Sequence, residues 1–259
     1  MTSDAETRPV RRVSSGRIAW VVLAALLVLS LGANALLVQV ALKRFSEELG
    51  VRLDPTGLKL YEGDRQKGPP AGPVLLFFGD SRARMWPEPE SVAGFHVVNH
   101  AIGNQTTAQI LMRVDSDVVP VHPSVVVLEA GVNDLKAIPQ FPERRAEIVA
   151  DCEANLERIV NSCRRSGATV VVVSVFAIGD VSLWRRLFWS DDVSAAVREV
   201  NAFLPRLVGP HVLFFDAAPI LGEPGRVEHE YQLDYLHLTP AGYRALDGKL
   251  IPLLAALPR

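Results

Sequence analysis

The sequence predicts a three-layer α/β fold with a five-stranded parallel sheet, preceded by one membrane-spanning helix. Beyond Pro73, five short apolar runs rich in β-branched and aromatic residues recur with helical stretches between them, and near the N-terminus 25 residues pass without a charge. Near-continuous hydrophobic strands alternating with helices imply a parallel sheet covered on both faces. The 259-residue chain divides on this reading into a tail (1–17), a span (18–42), a linker (43–73) and a folded domain (74–259). That domain, of roughly 190 residues, is large enough to bury a real core.

The span, IAWVVLAALLVLSLGANALLVQVAL from Ile18 to Leu42, measures about 37 Å as a helix against a hydrocarbon core of about 30 Å. Ala33-Asn34-Ala35 has the form of a signal-peptidase site, so secretion after cleavage near Ala35 is the alternative. The apolar run continues past it through LLVQVAL and is longer than a signal peptide's core, which favours an uncleaved anchor. Arg8, Arg11, Arg12 and Arg17 precede the span and Lys43, Arg44, Arg52 and Lys59 follow it, so basic residues balance. The short arginine-rich head resists translocation, which puts the tail in the cytoplasm and the domain outside. Residues 45–73, rich in Gly, Pro and charge, read as a tether whose Pro-rich end favours extended backbone.

The strands are expected at 74–78, 95–102, 124–131, 168–179 and 212–219, with helices over 104–118, 143–166 and 192–208. Cys152 and Cys163 lie eleven residues apart within the second of these helices. A helix separates them by roughly 16 Å, too far for a disulfide, so they are expected as free packing thiols. With a net charge of −2 there is no basic field to hold a nucleic acid backbone.

In such sheets ligands bind beyond the carboxyl ends of the strands. Gly79-Asp80-Ser81, Gly103-Asn104 and Gly131-Val132-Asn133-Asp134 fall at the ends of the first three strands. A serine becomes a nucleophile only with a base to take its proton, a partner to orient that base and donors for the developing oxyanion. Asp234 and His237, in DYLHLTPAGY just before a helix that starts near Thr239-Pro240, supply the base and its partner. Asn133 can donate a side-chain amide, and Ser81 and the 103–104 turn can donate backbone N–H groups.

Gly79-Asp80-Ser81, the Asn99–Asn104 turn, Gly131–Asp134 and Asp234-x-x-His237, in that order, resemble the four sequence blocks of the SGNH, or GDSL-type, hydrolase family. The resemblance covers residues 74 to about 257. It implies a flavodoxin-like sheet and a serine esterase mechanism without metal or cofactor, with Ser81 as nucleophile, His237 as general base and Asp234 as its orienter. It further implies Ser81 N–H, a backbone N–H of the second block and Asn133 as oxyanion donors. One position departs from the family: its usual oxyanion glycine falls at Asn104, and Gly103 stands one residue earlier. Asn tolerates left-handed backbone angles, so either amide can serve. The glycines near 103 form no dinucleotide or phosphate loop.

The segment GDVSLWRRLFWSDD gathers Leu183, Trp184, Leu187, Phe188 and Trp189 around Arg185 and Arg186. It reads either as a short amphipathic helix packed on the domain, with 184, 187 and 188 on one face, or as an apolar wall for an acyl chain formed by Trp184, Phe188 and Trp189. Arg82 and Arg84 are candidates for steering an anionic substrate, or for pairing with Glu88 or Glu90, while Asp80 is expected to bond within its own turn. The reading is a membrane-anchored esterase acting on a lipid, acetylated glycan or small ester. Acyl transfer through the same triad and a non-catalytic anchored binding domain are the alternatives.

Overall fold

The computed structural model describes residues 15–68, 70–87, 92, 94–186, 188–223 and 225–257. Two compact units divide the chain after Leu53.

The first unit is a single helix, α1 (Ser15–Leu53), 39 residues long and apolar enough to cross a bilayer. It runs eleven residues past the expected end of the span at Leu42. The extension, KRFSEELGVRL, is polar but still helical, because straight-chain residues favour helix and Arg44–Glu47 and Glu48–Arg52 pair along its surface. The arginines at 8, 11 and 12 lie outside the described residues.

The second unit begins at Asp54 with a segment expected to be a tether. Instead, 54–67 is a strap packed on the domain, ending in α2 (Glu62–Lys67). Tyr61 stacks on His100 at 4.3 Å and donates to the Ala101 carbonyl at 2.7 Å, and Arg65 pairs with the buried Asp117 at 2.6 Å. Gly and Pro composition reports a lack of periodicity; it does not report that the polar side chains in between find buried partners.

The sheet is parallel with strand order β2-β1-β3-β4-β5. Its strands are β1 (Val74–Gly79), which leads into the single-turn α3 (Ser81–Arg84), β2 (His96–Asn99), β3 (Val125–Glu129), β4 (Thr169–Val173) and β5 (Val212–Phe215). The expected helix at 104–118 is two, α4 (Thr107–Met112) and α5 (Val114–Asp117), broken at Arg113, whose side chain turns into the core. After β3 come the single turn α6 (Val132–Leu135) and the long α7 (Arg145–Arg165), which carries both cysteines buried and unbridged. The single turn α8 (Leu183–Arg186) and α9 (Asp192–Phe203) follow β4; α10 (Ala218–Leu221) and α11 (Pro240–Ala255) close the chain.

Strand side chains alternate between two cores. Leu76, Phe78, Val126, Leu128, Val170 and Val172 face α4, α7 and α9, while Leu75, Phe77, Val125, Val127, Val171 and Val173 face α10 and α11. Strand order reverses direction between β1 and β3, the switch point at which such sheets bind ligands. Ser81 follows one of these strands and Asn133 the other.

Candidate active site

At the end of β1, Gly79 takes φ +150° and pairs with Glu129 of β3 so closely that any side chain would overlap the Glu129 carbonyl. Asp80 then caps α3 by accepting from the Arg82 N–H at 2.9 Å, bonding within its own turn as expected. The strand and cap hold Ser81, half-buried, at the start of the turn.

The second part of the site comes from the loop before α11. Asp234 Oδ1 accepts the backbone N–H groups of Leu236 (2.7 Å) and His237 (2.8 Å), an Asx-type turn that folds His237 back over its own carboxylate. His237 Nδ1 lies 2.8 Å from Asp234 Oδ2, and His237 Nε2 lies 2.9 Å from Ser81 Oγ. Partial burial pushes the Asp234 carboxyl up, but hydrogen bonds from the His237 ring and the two backbone N–H groups outweigh it and hold the group below its usual value. Thr239 caps α11 through the Gly242 N–H, and Pro240 takes the first helical position, so the loop's exit is defined as well.

The residues expected as oxyanion donors lie at the ends of β1 and β3 and in the turn after β2. Gly103 is close enough that a methyl there would sit 3.7 Å from Ser81 Cβ, and Asn104 adopts the left-handed φ of +65° while remaining exposed. Among the described residues, the N–H groups of Ser81, Gly103 and Asn104 donate to no acceptor. Asn133, buried at the start of α6, gives one amide proton to the Gln105 carbonyl at 2.9 Å and keeps the other.

Two buried arginines brace this rim. Arg82 is fully buried, which corrects its expected role as a substrate contact: its Nε donates to the Leu236 carbonyl (2.8 Å) and its Nη1 to the Phe176 carbonyl (3.0 Å), tying the Ser81 turn to the His237 loop. Its carboxylate is Glu129, 3.8 Å away, reached through space from β3; Glu88 and Glu90 lie outside the described residues. Arg84 is the arginine that faces solvent beside Gly103. Arg113, from the break between α4 and α5, donates to the carbonyls of Gly79 (2.9 Å) and His100 (2.7 Å) and to the Gln105 side chain (2.6 Å). Gln105 in turn donates to Thr56 of the strap at 2.7 Å. Sequence reasoning missed Arg113, Gln105 and Glu129; a charged residue inside an otherwise apolar stretch, as in SVVVLEAG, was the available signal.

Glu129 is buried beside Asp80, and desolvation followed by the Asp80 charge pushes its carboxyl well up. A proton kept on Glu129 leaves Asp80 and Arg82 as one balanced pair and supplies a donor to Asp80 Oδ2, which otherwise has none among the described residues. Asp134 is raised to about 6, chiefly by desolvation, and accepts the N–H (2.9 Å) and hydroxyl (2.7 Å) of Thr107 at the start of α4.

Of the expected amphipathic helix, the described residues form the single turn α8 (Leu183–Arg186), with its side chains exposed. The helix ends at Arg186, Phe188 follows in a turn, and Leu187 lies outside the described residues. Trp184, Phe188 and Trp189 line an open cavity of about 510 Å³ with Lys136 and Tyr235, the latter adjoining Asp234. Ser81 and His237 do not line it.

Residues 70–245 match the GDSL-like lipase/acylhydrolase family model. The human platelet-activating factor acetylhydrolase IB subunit alpha1 is 28% identical over 195 residues, covering 71% of this chain and 78% of that one. Among solved structures, a putative platelet activating factor protein from Streptococcus pneumonia superposes with a TM-score of 0.66 at 23% identity, over 82% of this chain and 99% of that one. A GDSL-like lipase from Bacteroides thetaiotaomicron gives 0.58 at 19%, over 77% and 97%. With a family match over more than half its length and a serine–histidine pair at the switch point of the matching sheet, this chain belongs to the GDSL-like lipase/acylhydrolase family.

Proposed function

We propose that the protein hydrolyses carboxylic esters through an acyl-enzyme, with Ser81 as nucleophile, His237 as general base and Asp234 as the group that orients the imidazole. The observation that carries this is the 2.9 Å approach of His237 Nε2 to Ser81 Oγ, made while Nδ1 is held by Asp234. With Nδ1 protonated and donating to the Asp234 carboxylate, Nε2 has a lone pair for the serine proton. Ser81 Oγ then attacks the acyl carbon, and His237 returns the proton to the departing alcohol. Water repeats the sequence to release the acid. The oxyanion is received by the N–H of Ser81, the 103–104 turn and the spare proton of Asn133, each positioned before the charge develops. The human relative is an acetylhydrolase subunit and the Bacteroides thetaiotaomicron neighbour a GDSL-like lipase, which supports a small-acyl or lipid ester as the substrate. α1 serves as an uncleaved anchor that leaves the folded unit on the extracytoplasmic side.

A fluorophosphonate probe tests the assignment directly. Labelling is expected at Ser81 in the native chain, lost in Ser81→Ala and reduced at least about a hundredfold in rate in His237→Ala; undiminished labelling in Ser81→Ala overturns it. Asp234→Asn is expected to lower kcat by on the order of 10²–10⁴ with little change in KM, because the imidazole loses the partner that selects its tautomer.

A further inference from the structure

Leu183, Trp184 and Phe188 are 77%, 83% and 71% exposed, three large apolar side chains within six residues. From Asp54 onward the other exposed large hydrophobics are scattered, and among the described residues only Met112, at 70%, approaches these values. Burying large apolar side chains is favourable, so a fold that leaves three of them together has forgone stabilisation.

The backbone presenting them is fastened. Trp189 meets Tyr235 edge-on at 5.1 Å, and the Arg185 guanidinium lies 4.2 Å over the Tyr235 ring and donates to its hydroxyl at 2.9 Å. The Phe188 N–H donates to the Arg185 carbonyl at 2.9 Å, closing the turn. One side of the segment is stapled to the residue after Asp234; the other side is offered outward.

The chain itself carries what can cover this side. Its uncharged run ends at Leu42 and the folded unit starts at Asp54, so covalent attachment holds that unit near a lipid surface. Trp, Phe and Leu with neighbouring arginines are the side chains that favour the boundary between headgroups and acyl chains. Asp180 and Asp191 line the same cavity as Arg186 and offset its charge, so the attraction is apolar rather than electrostatic and a zwitterionic bilayer suffices.

We propose that α8 (Leu183–Arg186) and the turn at Phe188 form an interfacial prong that seats Trp184 and Phe188 at the headgroup–acyl boundary of a bilayer, turning the catalytic rim of the sheet toward lipid. The prong's contact with lipid does not depend on the catalytic assignment, and neither does its test.

The full chain is placed in phosphatidylcholine nanodiscs with a nitroxide on Trp184→Cys or Phe188→Cys. Cys152 and Cys163 are buried and escape the label. Val208→Cys, exposed just before β5 and so at the N-terminal end of the strands, opposite the carboxyl end that the prong follows, is the reference. All three positions are exposed, so the variants fold. The ratio of oxygen to nickel-chelate collision rates is expected to be at least about threefold higher at 184 and 188 than at 208, as an interfacial position requires. Nickel accessibility at 184 and 188 equal to that at 208 overturns the proposal. So does exclusion of both reagents with dipolar broadening between labels, which assigns the patch to a second copy of the chain.

Discussion

Arg82 sits one residue after Ser81, yet its guanidinium reaches the carbonyls of Leu236 and Phe176 rather than solvent. A lysine keeps the charge but cannot span both carbonyls and Glu129 from one nitrogen. Arg82→Lys is therefore expected to cost on the order of 2–4 kcal/mol in urea unfolding and, by letting Leu236 drift, to lower kcat more than it changes KM. Glu129→Gln keeps a neutral donor for Asp80 and is expected to stay within about 1 kcal/mol of the native chain with activity retained, whereas Glu129→Ala opens a cavity and leaves Asp80 Oδ2 without its donor. Equal losses in Glu129→Gln and Glu129→Ala would show that Glu129 is ionised in the folded state. Ser81, Asp234 and His237 were legible as residues because their chemistry is tied to a short local pattern. Arg82 was misread because its partners lie on β3 and on the far loops.

At the scale of elements, the start of α4 depends on a carboxylate from another element. Asp134 of α6 accepts both polar groups of Thr107, and burial raises it from 3.8 to about 6. The folded protein thus binds more protons than the unfolded chain between about pH 4 and 6, and this contribution to stability is full below that window and lost as pH rises through it. Asp134→Asn retains one acceptor, and the Thr107 hydroxyl can turn to accept from the new amide. The difference in unfolding free energy between native and Asp134→Asn chains is expected to change by on the order of 2–3 kcal/mol from about pH 4 to 7, moving in favour of the variant. A pH-independent difference, read from urea midpoints, would remove Asp134 as the titrating group. The 104–118 segment was expected as one helix because its apolar spacing is continuous; the break at Arg113 arises from bonds to Gly79, His100 and Gln105, which periodicity does not contain.

For the whole molecule, the decisive boundary is Asp54 rather than Val74. A chain starting at Asp54 keeps the Tyr61–His100 stack, the Arg65–Asp117 pair and the Gln105–Thr56 bond that backs the carbonyl receiving Asn133. One starting at Pro73 loses all three and leaves Asp117 with Arg113 alone. The shorter chain is expected to be less stable by at least about 3 kcal/mol and to label more slowly at Ser81, while the longer one matches the folded unit of the full chain. Identical melting of the two would return residues 54–72 to the status of a tether. By itself the sequence determined the parallel α/β sheet, the apolar N-terminal helix and which serine, histidine and aspartate to look for together, because those depend on hydrophobic period and on motifs a few residues long. Only the tertiary structure decided that the linker is a strap, that Arg82 and Arg113 are internal braces and that Trp184 and Phe188 stand in the open. Burial and pairing are relations between residues far apart in the chain, and local pattern carries no record of them.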